Sequence, residues 1–212
     1  MKSGYTHIAV VLDRSGSMSL CADDTVGGFN AFVAEQKKAE GEATMTLTQF
    51  DTEYEIVYDF KNIQDVPKLT FVPRGNTALL DAIGRTIQTV GHSLELKPEA
   101  ERPEKVIFVI ITDGKENSSR EFKKDQINQL IKTQTDVYKW EFVYLGANQD
   151  AVQEGSALGV LLTNALTFDT RTTRQIYDAL SENVRNLRAS GSARKSMEWT
   201  EQQRKTNTPK VH

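Results

Sequence analysis

A short apolar run that ends in a carboxylate constrains the fold of this chain more than any other feature. Residues 8–12 read Ile-Ala-Val-Val-Leu and are followed directly by Asp13. A continuous apolar run of this kind, rich in β-branched residues, is typical of a parallel strand that is buried on both faces. Because ligands of an open α/β sheet bind beyond the carboxyl ends of its strands, the loop after this strand is predicted to form a site.

That loop supplies one carboxylate and two hydroxyls at alternate positions, from Asp13, Ser15 and Ser17. These are hard oxygen donors, which suit Mg²⁺ or Mn²⁺ better than zinc, a metal that prefers nitrogen and sulfur. Three protein oxygens do not fill an octahedral shell, so we looked for further donors at the ends of other elements. Thr77 follows a glycine-containing loop and precedes an apolar-periodic helix, and Asp113 ends a second buried apolar run.

The three segments D-R-S-G-S-M, G-N-T-A-L and I-T-D-G-K-E-N, in this order, resemble the von Willebrand factor type A family. The resemblance spans about Thr6 to Asp169. One departure is Asn76, where many members of the family have a second glycine. In the family the matching positions form a metal-ion-dependent adhesion site. The resemblance therefore implies five metal ligands in this chain: Asp13, Ser15, Ser17, Thr77 and Asp113.

The resemblance also implies a function, that of a protein-binding module rather than an enzyme. A divalent cation held by five oxygens with only two carboxylates is under-neutralised, and family members complete it with a glutamate or aspartate from a protein partner. The chain looks closest to the compact intracellular members encoded by bacteria or phages. We expect a module that is a monomer on its own and binds Mg²⁺ or Mn²⁺.

The order of the predicted elements indicates the fold class. Strands alternate with helices, which predicts a doubly wound, Rossmann-like α/β sheet with helices on both faces. Residues 43–50 and 54–60 differ, because two strands joined by three polar residues predict an antiparallel hairpin. The expected sheet is therefore mostly parallel, with one antiparallel edge strand.

The chain is predicted to consist of a domain at residues 1–188 and a flexible basic tail at residues 189–212. The tail lacks apolar periodicity, and its five basic and two acidic side chains give it a net charge of +3. Trp199 is unusual in so polar a segment, and we expect it to dock onto the domain or onto a partner.

Composition bears on partners and location. A net charge of −3 gives the whole chain no electrostatic attraction to nucleic acid or to an anionic membrane. The single cysteine, Cys21, allows no disulfide within the chain. The first strand begins too early to leave room for a signal peptide, and no apolar stretch approaches the roughly 18 residues that span a bilayer. We therefore expect a cytoplasmic protein with no membrane partner.

Two other function classes stay open at this point. A metal-dependent, phosphohydrolase-like enzyme would need an acid–base group beside the metal, for which Lys115 and Glu116 are the candidates. A nucleic-acid-associated protein would act through the basic tail, although its charge is modest. Arg14, in the first site loop, is predicted to be exposed, either as a plain surface residue or as a contact for an acidic group of a partner.

Overall fold

Strands and helices alternate along the computed structural model, which describes residues 1–147, 150–190 and 197–207. The strands are β1 (Lys2–Asp13), β2 (Glu42–Phe50), β3 (Tyr54–Asn62), β4 (Pro103–Thr112), β5 (Glu141–Ala147) and β6 (Ala165–Phe168). The helices are α1 (Ala22–Lys38), α2 (Leu79–Glu95), α3 (Lys124–Asp136), α4 (Ala151–Ala157), α5 (Thr173–Ala189) and α6 (Glu201–Asn207). Within these described ranges, no helix is long and apolar enough to cross a membrane.

The six strands form one sheet in the order β3-β2-β1-β4-β5-β6. Neighbouring strands are parallel except β2 and β3, whose short connection allows only antiparallel pairing. The predicted fold class, a mostly parallel doubly wound sheet with one antiparallel edge strand, is therefore confirmed. The strand order reverses between β1 and β4, and the carboxyl ends of strands at such a point are where ligands of open α/β sheets bind.

The central strands are buried on both faces because helices cover the sheet from both sides. Ile8, Val10 and Leu12 of β1 face the layer that contains α1 and α5. Ala9 and Val11 face the opposite layer, which contains α2, α3 and α4. This double burial explains why the first strand is a continuous apolar run and carries no alternation.

The C-terminal segment differs from the flexible tail predicted for residues 189–212. Its described part, residues 197–207, packs on the domain, with Met197 and Trp199 buried in the same layer as α1 and α5. The backbone N–H of Trp199 donates to the backbone carbonyl of Thr163 at 3.0 Å. Two apolar residues in a polar segment create no periodic pattern, so periodicity did not reveal this packing. The rest of the predicted tail after Ser190 lies outside the described residues.

Gly28 sets how closely α1 packs against α5. A Cβ atom added to Gly28 would lie 2.3 Å from Cδ2 of Tyr177, a side chain that is itself 1% exposed. The adjacent Gly27 has no such neighbour, since an added Cβ there meets nothing within 4 Å outside its own helix. The two glycines therefore offer a matched pair of substitutions within one turn of α1.

We expect Gly28→Ala to lower the free energy of unfolding by about 1–3 kcal/mol, because the methyl group overpacks a closed core. Gly27→Ala should raise it by up to about 1 kcal/mol, because alanine favours the helix and restricts the unfolded chain. Urea denaturation of both variants measures the two shifts. Shifts of the same sign would contradict close packing at Gly28.

Candidate functional site

The last residue of β1, Asp13, places a buried carboxylate where the strand order reverses between β1 and β4. Asp13 is 0% exposed. Its Oδ1 accepts the N–H of Ser15 at 2.7 Å, and its Oδ2 accepts the hydroxyl of Thr112 at 2.5 Å. Because Thr112 is the last residue of β4, the bond from its hydroxyl joins the carboxyl ends of the two central strands.

From Ser15, hydrogen bonds continue to a second hydroxyl and a second carboxylate. The Oγ atoms of Ser15 and Ser17 are 3.1 Å apart, and the hydroxyl of Ser17 donates to Oδ1 of Asp113 at 2.6 Å. Thr77 borders the same space, because a Cβ added to Gly114 would lie 2.8 Å from Oγ1 of Thr77 and 3.5 Å from Oγ of Ser17. The structure thus brings together all five predicted site residues: Asp13, Ser15, Ser17, Thr77 and Asp113.

The two carboxylates of the site lack a positive charge of their own. Among the described residues, no lysine or arginine forms an ion pair with Asp13 or Asp113. Burial raises the pKa of the Asp13 carboxyl to about 6, although the hydrogen bonds from Thr112 and Ser15 act to lower this pKa. Burial also raises the pKa of Asp113. A cation among these oxygens would favour the charged form of both groups.

Hydroxyls must contribute to any cation site here. Among the described residues, no group of three or more histidine, cysteine, aspartate or glutamate side chains is placed to hold a metal ion. The site offers two carboxylates and three hydroxyls, a donor set of oxygen alone. Such a set fits Mg²⁺ or Mn²⁺ and lacks the nitrogen and sulfur ligands that zinc prefers.

The prediction that Arg14 is exposed is wrong. The residue is 7% exposed, and its guanidinium donates to Asp51 at 2.8 Å and to Glu55 at 2.5 Å. Arg74 donates to the same Asp51 oxygen at 3.0 Å. Burial would raise the pKa of Asp51, but hydrogen bonds from the N–H of Glu53 and from the two guanidiniums bring it below its usual range. This network ties the first site loop to the β2–β3 hairpin.

Backbone hydrogen bonds join the first site loop to the segment that leads to Thr77. The N–H of Gly16 donates to the carbonyl of Gly75 at 3.1 Å, and the N–H of Arg74 donates to the carbonyl of Arg14 at 2.8 Å. Together with the shared Asp51 these bonds hold the two loops side by side, so Ser15 and Thr77 keep a fixed relation.

The loop after Asp113 is bound to the start of α2. Oδ1 of Asn117 accepts the N–H of Thr77 at 2.9 Å, and the N–H of Asn117 donates back to the carbonyl of Thr77 at 3.1 Å. Asp81 of α2 in turn accepts N–H groups of the same loop, including that of Arg120 at 2.8 Å. The two site segments that carry Thr77 and Asp113 therefore form one hydrogen-bonded unit.

Glu116, a candidate acid–base group from the sequence, is engaged in this unit. Its Oε1 accepts the N–H groups of Ser118 and Ser119 at 2.9 and 2.7 Å. Its Oε2 accepts the N–H of Leu80 at 2.9 Å and the hydroxyl of Ser119. The carboxylate thus caps the N-terminus of α2, where its charge complements the helix dipole. Because both carboxylate oxygens accept hydrogen bonds from the protein, the contacts of Glu116 are those of a helix cap and not those of a general base.

Sequence reasoning missed the roles of three residues at the site. Thr112 and Asn117 were assigned no role, and Glu116 was considered only as an acid–base group and not as a helix cap. Each lies within the I-T-D-G-K-E-N segment, so the segment was recognised but the partners of its side chains were not. Their partners are distant in sequence, as with Thr112 and Asp13, which are separated by 99 positions. Spacing along one segment carries no signal for such pairs.

The sequence matches no protein-family model and no curated protein. Solved structures share its fold at low sequence identity. Proximal thread matrix protein 1 from the mussel byssus, solved with a zinc-occupied MIDAS motif, has a TM-score of 0.62 and 14% identity, over 85% of this chain and 48% of that chain. This chain thus spans about half the length of the mussel protein.

Two bacterial structures give the same picture. The vWF domain of the type V pili tip protein Mfa5 from Porphyromonas gingivalis has a TM-score of 0.62 and 9% identity, over 91% of this chain and 99% of that chain. A von Willebrand factor type A structure from Catenulispora acidiphila has a TM-score of 0.55 and 15% identity, over 84% and 42% of the two chains.

The raised pKa of Asp13 predicts how stability depends on pH without metal. A carboxyl with a raised pKa binds its proton more tightly in the folded than in the unfolded protein. The metal-free domain therefore loses stability as the pH rises from 3.8, the ordinary pKa of the group, to about 6, its pKa in the folded protein. It stays less stable above that pH. Asp13→Asn keeps the shape of the side chain and removes this loss.

In EDTA at pH 7.5, we expect Asp13→Asn to be more stable than the wild type by about 3 kcal/mol. At pH 4 the two proteins should have similar stability, because the wild-type carboxyl is then protonated. Urea denaturation at both pH values measures the difference. A variant that is less stable than the wild type at pH 7.5 would contradict the charge deficit at this site.

Proposed function

We propose that this chain, which has the fold of a von Willebrand factor type A domain, is a protein-binding module that acts through a bound Mg²⁺ or Mn²⁺. Its ligands are Asp13, Ser15, Ser17, Thr77 and Asp113. The observation that carries the proposal is the series of hydrogen bonds that links Asp13, Ser15, Ser17 and Asp113, in which the buried carboxylate of Asp13 and the half-buried carboxylate of Asp113 lack a compensating cation. A divalent ion at this place would remove that deficit.

The choice of cation rests on the donors. Carboxylate and hydroxyl oxygens favour Mg²⁺ or Mn²⁺, and no histidine lies in a site loop. The mussel neighbour was solved with zinc in its MIDAS motif, which supports a divalent cation at the equivalent place in this chain. The specific form of the proposal is that Mg²⁺ or Mn²⁺, the cations whose usual protein ligands are oxygens, occupies the site in the functional protein.

The partner is proposed to supply a glutamate or aspartate as a further ligand. Asp13 and Ser15 are buried, whereas Gly16 and Ser17 are exposed, so the site opens to solvent on the side of the serine loop. Since five protein oxygens leave one position of an octahedral shell open, the bound ion can take one further oxygen ligand. A carboxylate from a second protein can reach it from the open side.

Metal binding should appear as ligand-dependent stability. We expect MgCl₂ and MnCl₂ to stabilise the wild type against thermal unfolding, by about 2.7 kcal/mol at a concentration one hundred times the Kd. Asp13→Asn should show no such effect, because the site loses a carboxylate ligand. Asp136→Asn, a change of an exposed carboxylate at the end of α3, is the matched control and should respond like the wild type.

Isothermal titration calorimetry gives the corresponding affinities. Equal Mg²⁺ affinity for the wild type and Asp13→Asn would contradict a metal site at Asp13. Most sites bind zinc somewhat more tightly than Mn²⁺. A ratio of zinc to Mn²⁺ affinity larger than oxygen ligands ordinarily give would contradict the all-oxygen site.

Partner binding is tested by affinity capture from a lysate of the source cells. We expect at least one protein to be retained by the wild type and by Asp136→Asn in Mg²⁺, and to be lost in EDTA and with Asp13→Asn. Replacing the acidic residues of that protein one at a time should identify a single carboxylate whose loss abolishes retention. Equal capture in EDTA, or by Asp13→Asn, would place the binding surface elsewhere on the domain.

A further inference from the structure

Leu20 is the most exposed large apolar side chain among the described residues, with 85% of its surface exposed. It lies in the 3₁₀ helix Gly16–Cys21, which also carries the proposed ligand Ser17. Side chains three residues apart eclipse on a 3₁₀ helix, so Leu20 stands directly beside Ser17, about 6 Å along the axis. The side chain contributes almost nothing to the core of the domain.

The rest of the short helix fixes this orientation. Met18 and Cys21, also three residues apart, form the stripe that is buried against the core. The hydroxyl of Ser19 donates to the carbonyl of Gly16 at 2.7 Å and closes the same turn. Because the opposite stripe is anchored, Ser17 and Leu20 are held facing solvent together.

The surroundings restrict what can cover Leu20. Val72, 64% exposed, lies two residues before Arg74, which is bonded to the first site loop, so the segment leading to Thr77 also carries an exposed apolar side chain. Asp23 and Asp24 follow Leu20 in the first turn of α1, and both are exposed. An acidic stretch that continued past the metal would meet these two carboxylates and be repelled.

We infer that Leu20 forms an apolar subsite next to the metal centre and accepts an apolar side chain that accompanies the partner's acidic ligand. The inference rests on the proposed function and names the chemistry of its partner. In an extended segment, side chains two positions apart lie on one face about 6–7 Å from each other, which matches the separation of Ser17 and Leu20. The partner therefore carries one glutamate or aspartate with an apolar residue two positions away.

The probe is a phage-displayed library of seven-residue peptides with a fixed central glutamate, selected on the immobilised domain in Mg²⁺ and in EDTA. We expect the wild type to enrich Leu, Ile, Val, Met or Phe two positions from the glutamate, in Mg²⁺ only. Leu20→Ser should still bind glutamate peptides in Mg²⁺ but lose that enrichment. Its affinity for the best wild-type peptide should fall at least about tenfold.

The matched control is Leu96→Ser, which changes a leucine that is 73% exposed just after α2. It should select the same peptides as the wild type. Thermal unfolding of both serine variants checks that the fold is intact, which we expect because neither leucine is buried.

The outcomes separate this inference from the proposed function. Mg²⁺-dependent selection of glutamate peptides with no apolar preference, or the same preference in Leu20→Ser, would overturn the subsite and leave the metal-dependent module standing. No difference between Mg²⁺ and EDTA would overturn both. Self-association of the wild type that Leu20→Ser abolishes, with peptide selection unchanged, would assign Leu20 to contact with a second copy and also overturn the subsite.

Discussion

The buried carboxylate of Asp13 is the constraint on which the rest of this structure depends. A charged group that is fully removed from water is unfavourable unless hydrogen bonds or a counter-ion compensate it. The fold supplies two hydrogen bonds, from Ser15 and Thr112, and leaves the counter-ion to be supplied from outside. The position of Asp13 at the end of a doubly buried strand thus leaves its negative charge only partly compensated, and this is the deficit that the proposed cation would remove.

The surrounding contacts make the site rigid by pairing its segments. The Arg14–Asp51 ion pair holds the first loop to the β2–β3 hairpin, and Asn117 holds Thr77 to the loop after β4. Neither contact touches the oxygens that are proposed to bind the cation. They set the spacing of the donors in advance, so a cation would find its ligands arranged and pay little for ordering them.

Local patterns were sufficient to predict most of the sheet and the position of its loops. The apolar run before Asp13 and the three-residue hairpin turn identify a parallel strand and an antiparallel edge, because both depend on neighbouring residues alone. The spacing of Asp13, Ser15 and Ser17 likewise points to an oxygen site. Thr77 and Asp113 could be added because strand ends converge and because the segments resemble a known family; their role as metal ligands stays a prediction.

What the sequence could not provide are pairs of distant residues. The burial of Arg14 depends on Asp51, 37 positions away, and a polar loop residue with an unknown partner looks exposed. Met197 and Trp199 are buried because they reach a layer built by α1 and α5, yet they form no periodic pattern in their own segment. In each case the contact that decides burial joins residues far apart in the sequence, and the spacing of residues within one segment carries no information about it.

The hydrogen bond between Asp13 and Thr112 bears on when the candidate site is completed as the chain folds. Its two residues are 99 positions apart, and the bond forms only when β1 and β4 lie side by side in register. Bringing the two strands together closes a long stretch of chain and costs conformational entropy. A partly folded chain therefore has the serines of the first loop but no complete site. The proposed cation site would therefore be completed in a single step with the pairing of these two strands.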